Sequence, residues 1–199
     1  MLTNFIKATS AFLATNMDDL FLLVTFLMVV TTQADSQKRA SLTKVFIGQI
    51  TAFIVILLIA DLGSLGIRLL PTKFIAGLGA VPLMMGLHIF WSEHETKREH
   101  QKQKIKSQNI ISIGLVFTTI LADGGDNLGV YIPYFSTLSN GELFVTNLYL
   151  LFLICVWCLV GLRLSHIPEF ETFFHKYGEN ITGVILVGLG FMLIVDGLS

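Results

Sequence analysis

The chain has 199 residues, a formal net charge of -1, a mean hydropathy of +0.73, and charges on only 14% of its positions. An ordinary soluble domain is about a quarter charged, so composition excludes that class and predicts an integral membrane protein. Without a basic domain or arm it offers nucleic acid no electrostatic footprint, and Cys155 and Cys158, both in an apolar segment, make no disulfide framework.

A helix crosses the hydrocarbon core with about 20 mainly apolar residues. Six segments qualify in chain order: Phe5–Thr31, Val45–Leu65, Phe74–Trp91, Ile110–Phe135, Leu143–Leu162 and Ile181–Leu198. The first is too long for a signal-peptide core, carries Asp18 and Asp19, and lacks a small-residue cleavage site, so it is expected to stay in the mature chain. The connections are short and polar. Loops one, three and five hold ten Lys and Arg residues, whereas the opposite side holds Lys7, Arg68 and Lys73. Basic residues favour the cytoplasm, so both termini are predicted outside it.

The fourth segment contains Ala122-Asp123-Gly124-Gly125-Asp126-Asn127-Leu128-Gly129. A carboxylate at the centre of a span costs about 2.5–3.5 kcal/mol on insertion scales, and the default reading of such a residue is a functional site. The first segment carries a similar stretch, Ala14-Thr15-Asn16-Met17-Asp18-Asp19-Leu20-Phe21, in which Ala14, Asp18 and Leu20 fall on Ala122, Asp126 and Leu128. Two matching polar centres predict a duplicated unit. With three spans per half, the second half inserts upside down relative to the first, the inverted repeat of many secondary transporters. The expected organisation is residues 1–91 as one three-helix repeat, 92–109 as a basic cytoplasmic linker, and 110–199 as the second repeat.

Thr15 and Asp18 are three apart on one helix face, as are Asp123 and Asp126. Adjacent Asp18 and Asp19 would point about 100° apart on a regular helix, so one of them points away or the helix unwinds there. Gly124-Gly125 argues for unwinding of the fourth span, which would free carbonyls to coordinate a cation. Breaks at mid-membrane are expected in spans one and four, and Pro133 is a further place for a bend. Facing carboxylates repel, and a divalent cation or protons would relieve them. Asp18, Asp123 and Asp126 are expected to supply charge, with Asp19 next, and Thr15, Asn16 and Asn127 to supply neutral oxygens, a set suited to a divalent cation. Asn, Thr and Asp also join helices by hydrogen bonds alone, but two similar clusters at mid-span weigh against that.

Other polar positions carry blander readings. Cys155 and Cys158 are three apart and would suit a soft metal, but free cysteines are also ordinary small hydrophobes. His88 in the third span is a proton acceptor, a ligand or a satisfied interior histidine. His94 and His100 sit among Glu93, Glu95 and Glu99 in a charged loop. Asp61 and Asp196 read as interfacial. No Walker-type loop and no nucleophile–base pair is present, so neither ATP drive nor an enzyme is expected, and no cofactor.

Asn16-Met17-Asp18-Asp19-Leu20-Phe21-Leu22-Leu23 resembles the first-span motif of the cadmium-resistance transporter family (CadD type). Asp123-Gly124-Gly125-Asp126-Asn127-Leu128-Gly129-Val130-Tyr131-Ile132-Pro133 resembles its fourth-span motif. That family belongs to the lysine-exporter superfamily, which also includes amino-acid and manganese exporters. The resemblance covers nearly the whole chain and carries the motif onto Asn16, Asp18, Asp19, Asp123, Asp126 and Asn127. It implies an exporter of divalent heavy metal, chiefly cadmium, in the bacterial cytoplasmic membrane. Proton antiport is the expected drive, lipid the surroundings, and a homo-oligomer is compatible with it. An amino-acid or manganese exporter is the alternative.

Overall fold

A computed structural model describes residues 2–69, 78–89, 105, 111–167 and 169–198. Among them are seven helices and no strand: α1 (Leu2–Thr31), α2 (Asp35–Ile67), α3 (Ala80–Ile89), α4 (Ile113–Asp123), α5 (Gly125–Ser136), α6 (Asn140–Leu164) and α7 (Phe170–Leu198). Three helices are long and apolar enough to cross a membrane: Thr3–Thr31, Asp35–Ile67 and Asn140–Leu164. The shorter apolar helices are Ala80–Ile89, Ile113–Asp123 and Asn180–Val195. The loop from Ser92 to Asn109, with His94 and His100, lies outside the described residues except for Ile105, which is buried.

The helix starts follow from local chemistry. Ser112 accepts a hydrogen bond from the Leu115 amide and opens α4. Ser139 and Glu142 form a reciprocal capping box that opens α6, satisfying donors a helix end otherwise leaves bare. At the same end of the bundle, Arg68 just past α2 donates to the carbonyls of Phe135 (2.9 Å) and Leu138 (2.6 Å) and to Asn140 Oδ1 (2.7 Å). Asn4 Nδ2 donates to Glu142 (2.8 Å). These bonds tie the N-terminal turns of α1 and the end of α2 to the α5–α6 corner.

Side-chain contacts give the directions of the helices. Gly48 lies against Val116 and Gly63 against Ile132, so α2 runs parallel to α4 and α5. Phe12 meets Trp157, and Leu23 and Leu27 lie against Gly161, so α1 and α6 are parallel. Gly79 meets Ile194 and Gly86 meets Gly183, so α3 and α7 are antiparallel. The α3–α7 pair is built on glycines that bring backbones close, as helices in lipid favour.

α1 is the most buried of the three long spans. Apolar residues gather in two clusters. One joins Phe12 and Ala14 to Phe53, Ile56, Tyr131, Tyr134, Ile154 and Leu189. The other joins Leu20, Leu23 and Leu27 to Val45, Ala52, Val116, Ile120 and Cys158. Along α1 the change from one to the other falls between Ala14 and Leu20, and along α4 and α5 between Ile120 and Val130. The residues between are the polar ones.

A Cβ at Gly190 would stand 2.6 Å from the Leu83 backbone nitrogen, whereas one at Gly188 meets nothing within 4 Å. Gly190→Ala is therefore expected to lower stability by about 1–3 kcal/mol, the usual cost of overpacking. Gly188→Ala should cause no loss, with thermal unfolding in detergent as the measurement.

Candidate functional site

The polar layer is assembled from three helices. On α1, Thr15, Asn16 and Asp19 are buried and Asp18 is half-buried. The helix is regular through this stretch, so the expected break of the first span is absent. Its polar side chains satisfy themselves locally instead: Thr15 Oγ1 donates to the Ala11 carbonyl (3.0 Å) and Asn16 Nδ2 to the Phe12 carbonyl (3.0 Å). No glycine or proline lies between Ala14 and Leu20 to favour unwinding. With the helix intact, the adjacent carboxylates diverge: Asp19 turns fully inward and Asp18 only partly.

The fourth span does break. Gly124 separates α4 from α5, with φ -70° and ψ 7°. The interruption is one residue deep: the Gly124 amide still donates to the Ile120 carbonyl (3.0 Å), and the Leu128 amide to the Gly124 carbonyl (3.3 Å). A Cβ on Gly124 would stand 2.5 Å from Ile56 Cδ1, so glycine lets the junction lie close to α2 without moving that side chain. Asp123 ends α4 half-buried. Asp126 lies exposed in the first turn of α5, and Asn127 after it is buried. The Asn127 amide donates to Asp126 Oδ1 (2.9 Å), holding that carboxylate at the helix N-terminus, where the helix dipole favours negative charge. α5 continues through the buried Pro133.

The two halves of the layer meet. Asn127 Nδ2 donates to Asp19 Oδ2 (3.4 Å) across 108 residues of sequence. Asp19 lies within the electrostatic field of Asp123, Asp126 and Asp18, and Asp126 within that of Asp18 and Asp123. Like charges within range of one another repel, so a layer of four carboxylates is electrostatically unfavourable until a cation or protons join it. All seven residues expected from the sequence stand in this layer: Thr15, Asn16, Asp18, Asp19, Asp123, Asp126 and Asn127. Among the described residues, no three His, Cys, Asp or Glu side chains converge closely enough to hold a metal ion. The arrangement is an acidic rim, not a finished coordination cage.

Two aromatic residues join the layer that sequence reasoning passed over. The Tyr131 and Thr15 hydroxyls are hydrogen-bonded (2.9 Å), and Asn16 Nδ2 donates to Tyr131 Oη (3.1 Å). Trp157 Nε1 donates to the Asn16 backbone carbonyl (3.0 Å). Tyr131 could have been found, because it lies one turn beyond Asn127 on the same helical face; Trp157 had no such signal. The other polar outliers stand apart. His88 is exposed on α3, Cys155 is exposed on α6, and Cys158 packs in the apolar cluster of Leu20 and Val116. Asp61 accepts two hydrogen bonds from Asn147 Nδ2 (3.1 and 2.9 Å), which joins α2 to α6.

Several amides of the layer keep an atom without a partner. Asn16 Oδ1 and Asn127 Oδ1 are buried and accept no hydrogen bond. Leaving a buried polar atom unsatisfied costs about 1–3 kcal/mol, and such atoms are uncommon enough in native interiors to need a cause.

A helical membrane bundle that brings carboxylates and amides from different helices into one layer belongs to the class whose intramembrane polar groups serve ions. The family model for cadmium resistance transporters matches residues 12–199, and the chain belongs to that family. Membership makes it a membrane transporter with a metal cation as substrate. No curated protein and no solved structure matches the chain.

Tyr131→Phe keeps the ring contacts with Phe53 and Phe135 and removes only the hydroxyl. It is expected to lower stability by about 0.5–1.5 kcal/mol, the net worth of a hydrogen bond. Reversible unfolding in detergent checks this, and equal stability would remove Tyr131 from the layer's bonding.

Proposed function

We propose that the protein is a secondary exporter of divalent heavy-metal cations, chiefly cadmium, across the bacterial cytoplasmic membrane. The observation that carries this reading is the meeting of Asp18 and Asp19 with Asp123 and Asp126 in one layer between two apolar clusters. Four carboxylates in mutual range demand positive charge, and a doubly charged ion meets that demand. The ion is cargo, and the reading needs no resident cofactor. The chemistry of the donors is that of oxygen: carboxylates, amides and the Thr15 hydroxyl, which suit a divalent cation and by hardness favour manganese, while cadmium rests on the family. Manganese export is therefore the second reading.

In this proposal the ion draws the acidic rim together as it enters. Release follows when protons take its place on the carboxylates, so that inward proton flow drives outward metal flow. The apolar clusters on either side of the layer act as alternate barriers, and one half of the protein rocks against the other.

An inverted repeat of residues 1–91 and 110–199, joined through 92–109, gives that motion its symmetry. The helix contacts support it. Exchanging span one with four, two with five and three with six carries the α1–α6 contact onto that of α2 with α4 and α5. It also carries the α1–α7 contact onto that of α3 with α5. The alternating directions of the described helices accord with an even number of crossings, and the excess of basic residues in loops one, three and five supports both termini outside the cytoplasm.

Asp19→Asn and Asp126→Asn are each expected to abolish cadmium efflux from cells while leaving membrane expression intact. Efflux retained at the wild-type rate in either variant would count against its carboxylate as part of the ion site.

A further inference from the structure

Asn16 is fully buried, and the two ends of its amide have unequal surroundings. The nitrogen has three acceptors within reach: the Phe12 carbonyl (3.0 Å), the Thr15 hydroxyl (2.9 Å) and the Tyr131 hydroxyl (3.1 Å). The oxygen, Oδ1, has no hydrogen-bond partner among the described residues. A backbone carbonyl can only accept, so the atom that faces Phe12 is the nitrogen and the bare atom is the oxygen. Helix-joining asparagines gain by engaging both ends, since a buried acceptor without a donor is costly. Asn127 repeats the pattern. Its nitrogen donates to Asp19 Oδ2, and its own buried Oδ1 accepts nothing.

The two asparagines lie on one seam. Tyr131 follows Asn127 by one turn on α5, and Asn16 precedes Asp19 by one turn on α1. The Asp19–Asn127 and Asn16–Tyr131 bonds are therefore successive rungs between the two helices. The acceptors of the Asn16 nitrogen differ in kind. Phe12 and Thr15 belong to α1 itself and travel with Asn16 however that helix turns. Tyr131 belongs to α5, whose first turn carries Asp126. Its hydroxyl fixes the Asn16 amide relative to the opposite helix of the layer. The tyrosine ring is braced for this: it is fully buried, stacked on Phe135 (5.4 Å between centroids) and edge-on to Phe53 (6.2 Å).

We propose that Tyr131 is a positioning residue of the ion site: its hydroxyl holds the Asn16 amide by the nitrogen, so that the oxygen is presented to the transported cation beside the Asp19–Asn127 rung. The inference rests on the exporter reading given above and deepens it. A hard divalent cation binds an amide through its oxygen, so an asparagine free to flip would offer the wrong end part of the time. Ligands of metal sites are oriented by partners that do not touch the metal, and Tyr131 is such a partner for Asn16. A neutral acceptor suits the place, because it adds no charge to a layer that already holds four carboxylates.

The test uses the full-length protein in lipid nanodiscs, titrated calorimetrically with cadmium chloride, in a double-mutant cycle of Tyr131→Phe and Asn16→Ala. Thermal unfolding of each ion-free variant is measured alongside. Tyr131→Phe is expected to bind cadmium about ten- to a hundredfold more weakly than wild type, the range for losing the partner that orients a metal ligand. Asn16→Ala should weaken binding at least as much. Adding Tyr131→Phe to Asn16→Ala should then cost less than about twofold, because the tyrosine acts through the asparagine and the two effects do not add. A purely structural hydroxyl predicts a lower unfolding temperature with cadmium affinity unchanged. Undiminished affinity in either single variant overturns the proposal, and so does an equal loss from Tyr131→Phe in both backgrounds. If Tyr131→Phe fails to fold, the wild-type protein decides. The side-chain carbonyl carbon signal of Asn16 in nuclear magnetic resonance, assigned by its absence in Asn16→Ala, should shift on adding cadmium chloride while the amide protons stay protected from exchange. An unmoved signal with cadmium bound overturns the role of Tyr131 and leaves the exporter reading standing. Absence of cadmium binding to wild type overturns both.

Discussion

Like charges brought into one layer of a membrane protein, with Asp19 fully buried, are the constraint to which the rest of this fold answers. Asp18 and Asp19 come from one helix, Asp123 and Asp126 from either side of a helix junction, and each pair feels the other. Holding carboxylates away from bulk water costs several kcal/mol per ion even after relaxation. The surroundings limit that cost in recognisable ways. Asn127 donates to Asp19, the first turn of α5 receives Asp126 at its positive end, and Asp126 itself is exposed. What remains is left for a cation or protons.

The apolar parts make the polar layer mechanically definite. Two hydrophobic clusters flank it, and the helices that line it change cluster there. Aromatic contacts hold the boundary: Phe12 meets Phe53 and Trp157, and Phe53 meets Tyr131. The hydrogen bonds of Tyr131 and Trp157 to Thr15 and Asn16 then pin α1 to α5 and α6 at the same height. Both aromatics offer a large apolar body and one polar tip, which suits a boundary between greasy and polar layers.

The two acidic stretches differ in how they tolerate their charge. In the fourth span, glycine lets the helix stop for a residue and approach α2 closely, so that Asp123 and Asp126 sit at the two helix ends that result. In the first span the helix stays whole, because Thr15 and Asn16 return their hydrogen bonds to its own carbonyls. The two similar stretches thus reach one layer by different backbone routes. The difference is one of local chemistry, glycines in one stretch and Asn-Met in the other.

Much of this was legible in the chain itself. Charge is so costly in hydrocarbon that a carboxylate inside an apolar run announces its own importance, and that located Asp18, Asp19, Asp123 and Asp126. Helical spacing brought Thr15, Asn16 and Asn127 with them, and Gly124-Gly125 marked the break between α4 and α5. The family followed from the same motifs. Only the tertiary structure decided that the first span runs unbroken, which of two adjacent aspartates turns inward, and that Tyr131 and Trp157 bond to the layer. The reason is range. The bonds of Tyr131 and Trp157 to α1 cross 115 to 141 residues of sequence. Periodicity tells which face a residue occupies; it cannot tell what stands opposite.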